Sequence, residues 1–248
     1  MSQTGMPSTF LHMPLDGVAA YWLSLRKLVG NSRGTKVLET EAGFVHEPFV
    51  RHVLDMLISQ VSPDRFRQLA KLCGESEIAR LDRQFDLIRL TVLDISTGEN
   101  PLRTLARMTA LFPLPLEDPE QMLEVAQARV AGALNATLPV EAYTVDHFLN
   151  DEALATTLLF YATLCRRHGK TACRPFLPQP NAMLFTDALS LVVDGFDTPF
   201  IRKWMKRFKT TILSDMERKV ALSIDMSVSI QERVPFEEMR FLMHSYLR

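Results

Sequence analysis

Residues 49–71 read FVRHVLDMLISQVSPDRFRQLAK, and residues 184–206 read LFTDALSLVVDGFDTPFIRKWMK. Identities are few, yet the apolar positions, the turn and the helix start keep register at an offset of 135 (184 − 49 = 135) without a gap. The offset extends outward. Gly34 stands against Gly169, and LDRQFDL of 81–87 stands against MERKVAL of 216–222. Internal self-similarity reorganises every other reading of a chain. Here it points to a tandem duplication of a helical unit, residues 33–95 and their later copy, rather than to a long solenoid.

Within the first copy the local signals are those of helices. Pro48 suits a first helical turn. Val50, Leu54, Leu57, Ile58 and Val61 follow at i, i+4, i+7, i+8 and i+11, which is one stripe of a helix. Ser62-Pro63-Asp64 stops that helix and starts the next: a cap, a proline at the first position, and an acid at the positive end of the dipole. Phe66, Leu69, Ala70 and Cys73 are expected to face inward, Gly74 to break the helix, and Ile78, Leu81, Phe85 and Ile88 to carry a further stripe toward Ile95. Ahead of them, Asp16 opens a helix through Val18, Trp22, Leu25 and Leu28.

The second copy mirrors this. Asp151 lies 135 after Asp16 (151 − 16 = 135) and begins a helix holding Leu154, Leu158, Leu159 and Tyr161. Phe185, Leu189, Val192, Val193 and Phe196 form the next stripe. Gly195 suits a left-handed cap, and Asp197 starts a long helix with Ile201, Trp204, Met205, Phe208, Ile212, Met216 and Val220 inward. A last amphipathic helix begins at Pro235. Between the copies, Asn100-Pro101 and Asp118-Pro119 are cap-plus-proline starts. FPLPL of 112–116 cannot continue a helix, so it is a joint. The helix from 119 to 137 would face Met122, Val125, Ala126, Val130 and Leu134 inward.

No segment shows a period of two. The expected fold is all-α, a helical bundle of two diverged copies joined by a proline-interrupted helical connector. The division predicted is a loose tail over 1–14, a first repeat over 15–97, connecting helices over 98–148, and a second repeat with its C-terminal helix over 149–248.

Composition bounds the function. Of 248 residues, 47% are apolar and 23% charged, with a formal net charge of −1. That is ordinary for a globular chain and does not indicate nucleic-acid binding. Three cysteines with no CxxC spacing argue against a disulfide framework and a zinc site, and fit a reducing cytoplasm. The first residues lack a basic stretch followed by an apolar core, so no secretory signal is expected. The best apolar run, ALATTLLFYATLC of 153–165, is too short for the roughly 20 residues a bilayer needs.

Catalytic signatures are missing. No glycine-rich phosphate loop, HExxH or GxSxG occurs. Asp146-His147 and His46-Glu47 read as polar pairs at helix ends, and His52, His168 and His244 stand alone. No nucleophile has a base and an orienting group nominated beside it. The expectation is a non-enzymatic protein with no catalytic residue, metal or cofactor. One charge cluster stands out: Arg202, Lys203, Lys206, Arg207 and Lys209, interleaved with Trp204, Met205 and Phe208. It reads either as a solvated face opposite a buried stripe, partly neutralised by Asp215 and Glu217, or as a basic face for an acidic partner or membrane surface.

A basic helix end, a glycine, VLETEA, and then PFVRHVLDMLISQVSPDRFRQL resembles the cytoplasmic region of the MotA/TolQ/ExbB family, especially MotA-type flagellar stator subunits. Gly34, Leu38, Glu39, Pro48, Phe49, Leu54 and Pro63 carry the likeness in the first copy. In the second copy it rests on Gly169, Ala172, Leu189, Val192, Val193, Asp194, Gly195, Asp197, Ile201 and Arg202. The resemblance implies rotor engagement by one cation and one anion flanking the glycine. The implied arginine is Asn31 in the first copy and Arg166 in the second; the implied glutamate is Glu39 in the first and Arg174 in the second. The family's channel helices have no counterpart, and without a spanning segment there is no proton path. The resemblance therefore implies a cytoplasmic, soluble accessory or regulator of motility with a stator or rotor component as partner. Glu39, Arg166, Arg202, Lys203 and Lys206 are its candidate partner-binding residues. The alternative is a cytosolic helical regulator or scaffold, unrelated to motility, that binds a protein or small ligand between the repeats.

Overall fold

A computed structural model describes residues 10–30, 35–113, 118–135, 137–179 and 182–247. The class is all-α: these residues form ten α-helices and two short 3-10 turns, with no strand among them. The helices are α1 (Leu15–Val29), α2 (Thr35–Phe44), α3 (Pro48–Ile58), α4 (Pro63–Thr97), α5 (Pro101–Thr109), α6 (Pro119–Leu134), α7 (Asp151–His168), α8 (Met183–Val193), α9 (Thr198–Gln231) and α10 (Phe236–Leu247). The 3-10 turns are Val140–Ala142 and Lys170–Phe176. No described helix is long and apolar enough to cross a membrane.

The chain forms two compact units, and they cut across the sequential division predicted from the repeats. One comprises residues 1–79 and 212–248, the other 80–211. The reason is helix length. At 1.5 Å per residue, α4 with 35 residues and α9 with 34 each run about 50 Å, more than one small core can cover. Each long helix therefore contributes one half to each unit.

In the first unit α1, α2, α3 and the start of α4 combine with the end of α9 and α10. Trp22 is fully buried and its indole donates to Ser223 Oγ at 2.9 Å. Phe10 and Leu11 are buried, with the Phe10 and Phe49 rings 5.8 Å apart, so the loose tail expected up to residue 14 is already packed at residue 10. Lys219 is buried. Its ammonium sits 2.6 Å from Asp215 and donates to the Leu11 carbonyl at 2.9 Å, the pairing a buried cation requires. Gly74 does not break α4. A Cβ there would stand 2.3 Å from Val220 Cγ1, so glycine admits close packing of α9.

The second unit combines the end of α4, α5, α6, α7, α8 and the start of α9. Every residue of α7 from Leu154 to Cys165 is buried. Tyr161 packs edge-on against Phe160 and Phe185 and donates to the Tyr143 carbonyl at 2.8 Å. Asn100 and Asp118 cap α5 and α6 as their prolines suggested, accepting from the amides of Leu102 and Gln121. Helix α6 ends at Leu134 rather than 137, and Val125 and Leu134 are exposed rather than inward. Leu69 in the first unit is likewise at the surface. In the FPLPL joint, residues 114–116 lie outside the described residues.

The offset of 135 recurs in the helix boundaries. Helix α3 spans 48–58 and α8 spans 183–193; α4 begins at 63 and α9 at 198. The buried residues of α3 are Phe49, Val50, Val53, Leu54 and Leu57, and those of α8 are Leu184, Phe185, Ala188, Leu189 and Val192, each 135 later. Four of the six positive backbone φ angles among the described residues pair at the same offset, Gln60 with Gly195 and Gly98 with Arg233; Gly30 and Gly169 do not.

Candidate interaction surface

The first half of α9 places the charge cluster. Gly195, with φ of 85°, turns the chain after α8, and α9 starts at Thr198. Ile201 and Met205 are buried and fix the helix's inner face; Trp204 and Phe208 flank them, half-buried, with ring centroids 5.1 Å apart. At helical spacing this leaves Phe200, Arg202, Lys203, Lys206, Arg207, Thr210 and Thr211 exposed as one continuous stripe.

Lys209 belongs to a different face. Its ammonium lies 2.8 Å from Asp82 and 2.7 Å from Asp86 on α4, with the side chain only 16% exposed. Asp215, expected to neutralise part of the cluster, is paired with Lys219. No carboxylate occurs in the sequence between Asp197 and Asp215. Among the described residues none of Arg202, Lys203, Lys206 and Arg207 forms an ion pair. Arg202 with Lys206 and Lys203 with Arg207 are i,i+4 pairs of like charge, each costing the helix about 0.2–0.5 kcal/mol. At the head of the stripe the Phe196 and Phe200 rings stack at 5.4 Å, with the residues 49% and 44% exposed. The sequence pattern places Phe196 in the buried stripe of α8. It lies past the Gly195 turn, where the phase of α8 no longer applies.

The other two candidate residues lie on other helices. Glu39 is exposed on α2, next to buried Leu38. Arg166 is exposed at the C-terminus of α7, and its guanidinium donates to the Gly98 carbonyl at 2.8 Å. Lys170 similarly donates to the Ser96 carbonyl at 2.7 Å, so both cations satisfy free carbonyls at the C-terminus of α4. Arg174, where the resemblance implies a glutamate, pairs with Asp194 at 3.0 Å.

Asp146 Oδ1 lies 3.3 Å from His147 Nδ1, and the imidazole is packed against the Phe148 ring at 4.1 Å. No group of three metal-ligating side chains occurs among the described residues. Cys73, Cys165 and Cys173 are free thiols. A hydrogen bond donated by the Cys173 thiol to Cys165, then burial, pushes that thiol above its ordinary range and favours its protonated form.

No protein family, curated protein or solved structure matches this chain.

Proposed function

We propose that the chain is a non-catalytic helical interaction protein that holds an acidic segment of a protein partner on the exposed stripe of α9. The observation that carries this reading is the unneutralised row Arg202, Lys203, Lys206 and Arg207 beside the stacked Phe196 and Phe200. The fold gains nothing from crowding four like charges. A carboxylate-rich partner would relieve the repulsion and cover the aromatic pair, joining electrostatic complementarity to an apolar anchor. The recurrence at 135 supports descent of the two helical series from one duplicated unit. The resemblance of that unit to stator cytoplasmic regions supports a stator or rotor component as the partner.

The test measures binding of the full chain to a fluorescent glutamate-rich peptide, and to a purified stator cytoplasmic region and rotor component, at two ionic strengths. Affinity should fall with salt and drop about tenfold or more when Arg202, Lys203 and Lys206 are all changed to Glu. Glu39→Lys and Arg166→Glu should weaken binding to the stator or rotor component, with circular dichroism showing the fold intact. Salt-insensitive binding, or binding unaffected by the triple reversal, overturns the docking face. Tighter binding to phosphatidylserine vesicles than to every acidic protein probe overturns the choice of a protein partner. Peptide binding without stator or rotor binding overturns the motility assignment.

A further inference from the structure

The C-terminus of α7 holds a second polar feature, independent of the α9 stripe. Helices α5, α6 and α7 border a half-open cleft of about 250 Å³ in the second unit. Its polar lining is Asn100, Gln127, Thr163, Arg166 and Arg167, with Leu102 and Leu123 as the apolar wall. No lining residue is acidic. The volume is several times a water molecule's share of the liquid, about 30 Å³, so a small organic acid fits as well as an inorganic oxyanion.

Basic residues at a helix C-terminus complement the helix dipole and need no ligand to explain them. Thr163 is what the dipole does not explain. It is 2% exposed, and its hydroxyl has no hydrogen-bond partner. Threonines buried in a helix commonly donate to the carbonyl four residues back. Thr156 and Thr157 of the same helix do so, to Glu152 and Ala153. An orphaned buried hydroxyl calls for an explanation, and its residue is one of those that line the cleft, with Arg166 and Arg167. Arg166 spends one N–H on the Gly98 carbonyl, which leaves it further donors of the five a guanidinium carries. Arg167 forms no ion pair or hydrogen bond among the described residues. The Asn100 carbonyl oxygen caps α5, so its amide nitrogen remains to donate. The set consists of donors without a competing carboxylate, which is the complement of an oxyanion. It belongs to the second helical series alone: at the offset of 135 the first has Leu28, Asn31 and Ser32 in place of Thr163, Arg166 and Arg167.

We infer that this cleft is a binding site for a small oxyanion-bearing molecule, a phosphate or a carboxylate, clamped by Arg166 and Arg167 and accepting a hydrogen bond from Thr163. The test is calorimetric titration of the full chain with inorganic phosphate and, separately, with succinate. One saturable site per chain is expected for at least one of them. Phosphate alone identifies a phosphoryl group, and succinate alone a carboxylate. Arg167→Gln should weaken it about tenfold or more, as loss of a charge-assisted hydrogen bond predicts, and Lys71→Gln should not change it. Thr163→Val separates a site from a packing fault. In the ligand-free chain it should leave the melting temperature equal or higher, and it should reduce the shift produced by the anion. No saturable binding of either probe, or binding unchanged in both Arg167→Gln and Thr163→Val, overturns the inference. Arg166→Gln is not the decisive variant, because it also removes the bond to Gly98.

Discussion

Gln60 and Gly195 stand 135 residues apart and both hold the backbone in the left-handed region, with φ of 52° and 85°. Each closes a helix of eleven residues, α3 or α8, and precedes one of the two long helices. Glycine takes this conformation without strain, while a side chain costs roughly 1–2 kcal/mol there. Gln60→Gly should therefore stabilise the fold by about 0.5 kcal/mol, after the added freedom of the unfolded chain is subtracted. Gly195→Gln should destabilise it by about 1–2 kcal/mol. Urea unfolding midpoints of the two variants, moving in opposite directions, check the equivalence of the two turns.

Gly74 tests the packing of α4 on α9. In an exposed helix interior, glycine to alanine gains up to about 1 kcal/mol. Here the added Cβ would stand 2.3 Å from Val220 Cγ1 and 3.4 Å from Phe49 Cε2. Gly74→Ala is expected to cost about 1–3 kcal/mol, the range for overpacking. Adding Val220→Ala should recover part of that loss, giving a favourable coupling energy in a double-mutant cycle.

The same glycine shows where sequence reading stops. Pro48, Pro63, Asn100-Pro101 and Asp118-Pro119 mark helix starts through local sterics and capping, and those starts are where the structure has them. Helical phase finds three of the five buried positions in each copy, Val50, Leu54 and Leu57 of α3 and Phe185, Leu189 and Val192 of α8; Ile58, Val61, Val193 and Phe196 are not buried, and Phe49, Val53, Leu184 and Ala188 take their places. Gly74 has no such local meaning. Its role depends on Val220, 146 residues away (220 − 74 = 146), and a breaker in isolation becomes a contact in the fold. The division into units was hidden for a related reason, since a long helix gives no local sign of which core each half serves. The interaction stripe was half legible. Its charges are plain in the sequence, but which lysine is free and which is paired depends on Asp82 and Asp86 of a distant helix. The orphaned hydroxyl of Thr163 has no sequence signature.

Tyr161 makes stability depend on alkaline pH. Burial, the largest cause, pushes its hydroxyl above its ordinary value of about 10, and Gln179 donates to it in partial opposition. The folded state thus favours the protonated phenol. That contribution is fully present below about pH 10 and is lost as the pH rises toward the folded-state value. Tyr161→Phe should cost about 1–2 kcal/mol at pH 7 through its lost hydrogen bonds to the Tyr143 carbonyl and Gln179. Between pH 10 and 12 its melting temperature should fall less steeply than that of the parent chain. Parallel slopes would remove Tyr161 from the titration.

Lys206 and Lys209 are three residues apart on α9 and should fail in opposite assays. The Lys209 ammonium bridges Asp82 and Asp86 and is largely covered. Lys209→Gln leaves Asp82 without its cation and Asp86 with Arg89 alone, at 3.2 Å. A loss of about 1–2 kcal/mol is expected, above the usual worth of an exposed pair because the site is partly desolvated. Lys206 is exposed, has no counter-ion among the described residues and stands one turn from Arg202. Lys206→Gln should change stability by no more than about 0.5 kcal/mol, toward greater stability as the like-charge contact is relieved. Binding of the acidic peptide should show the reverse order, weakened by Lys206→Gln and untouched by Lys209→Gln when measured well below the unfolding transition. If Lys206→Gln destabilised the fold as much as Lys209→Gln, the outer stripe would have a structural role, and its repulsion could not be the reason for a partner.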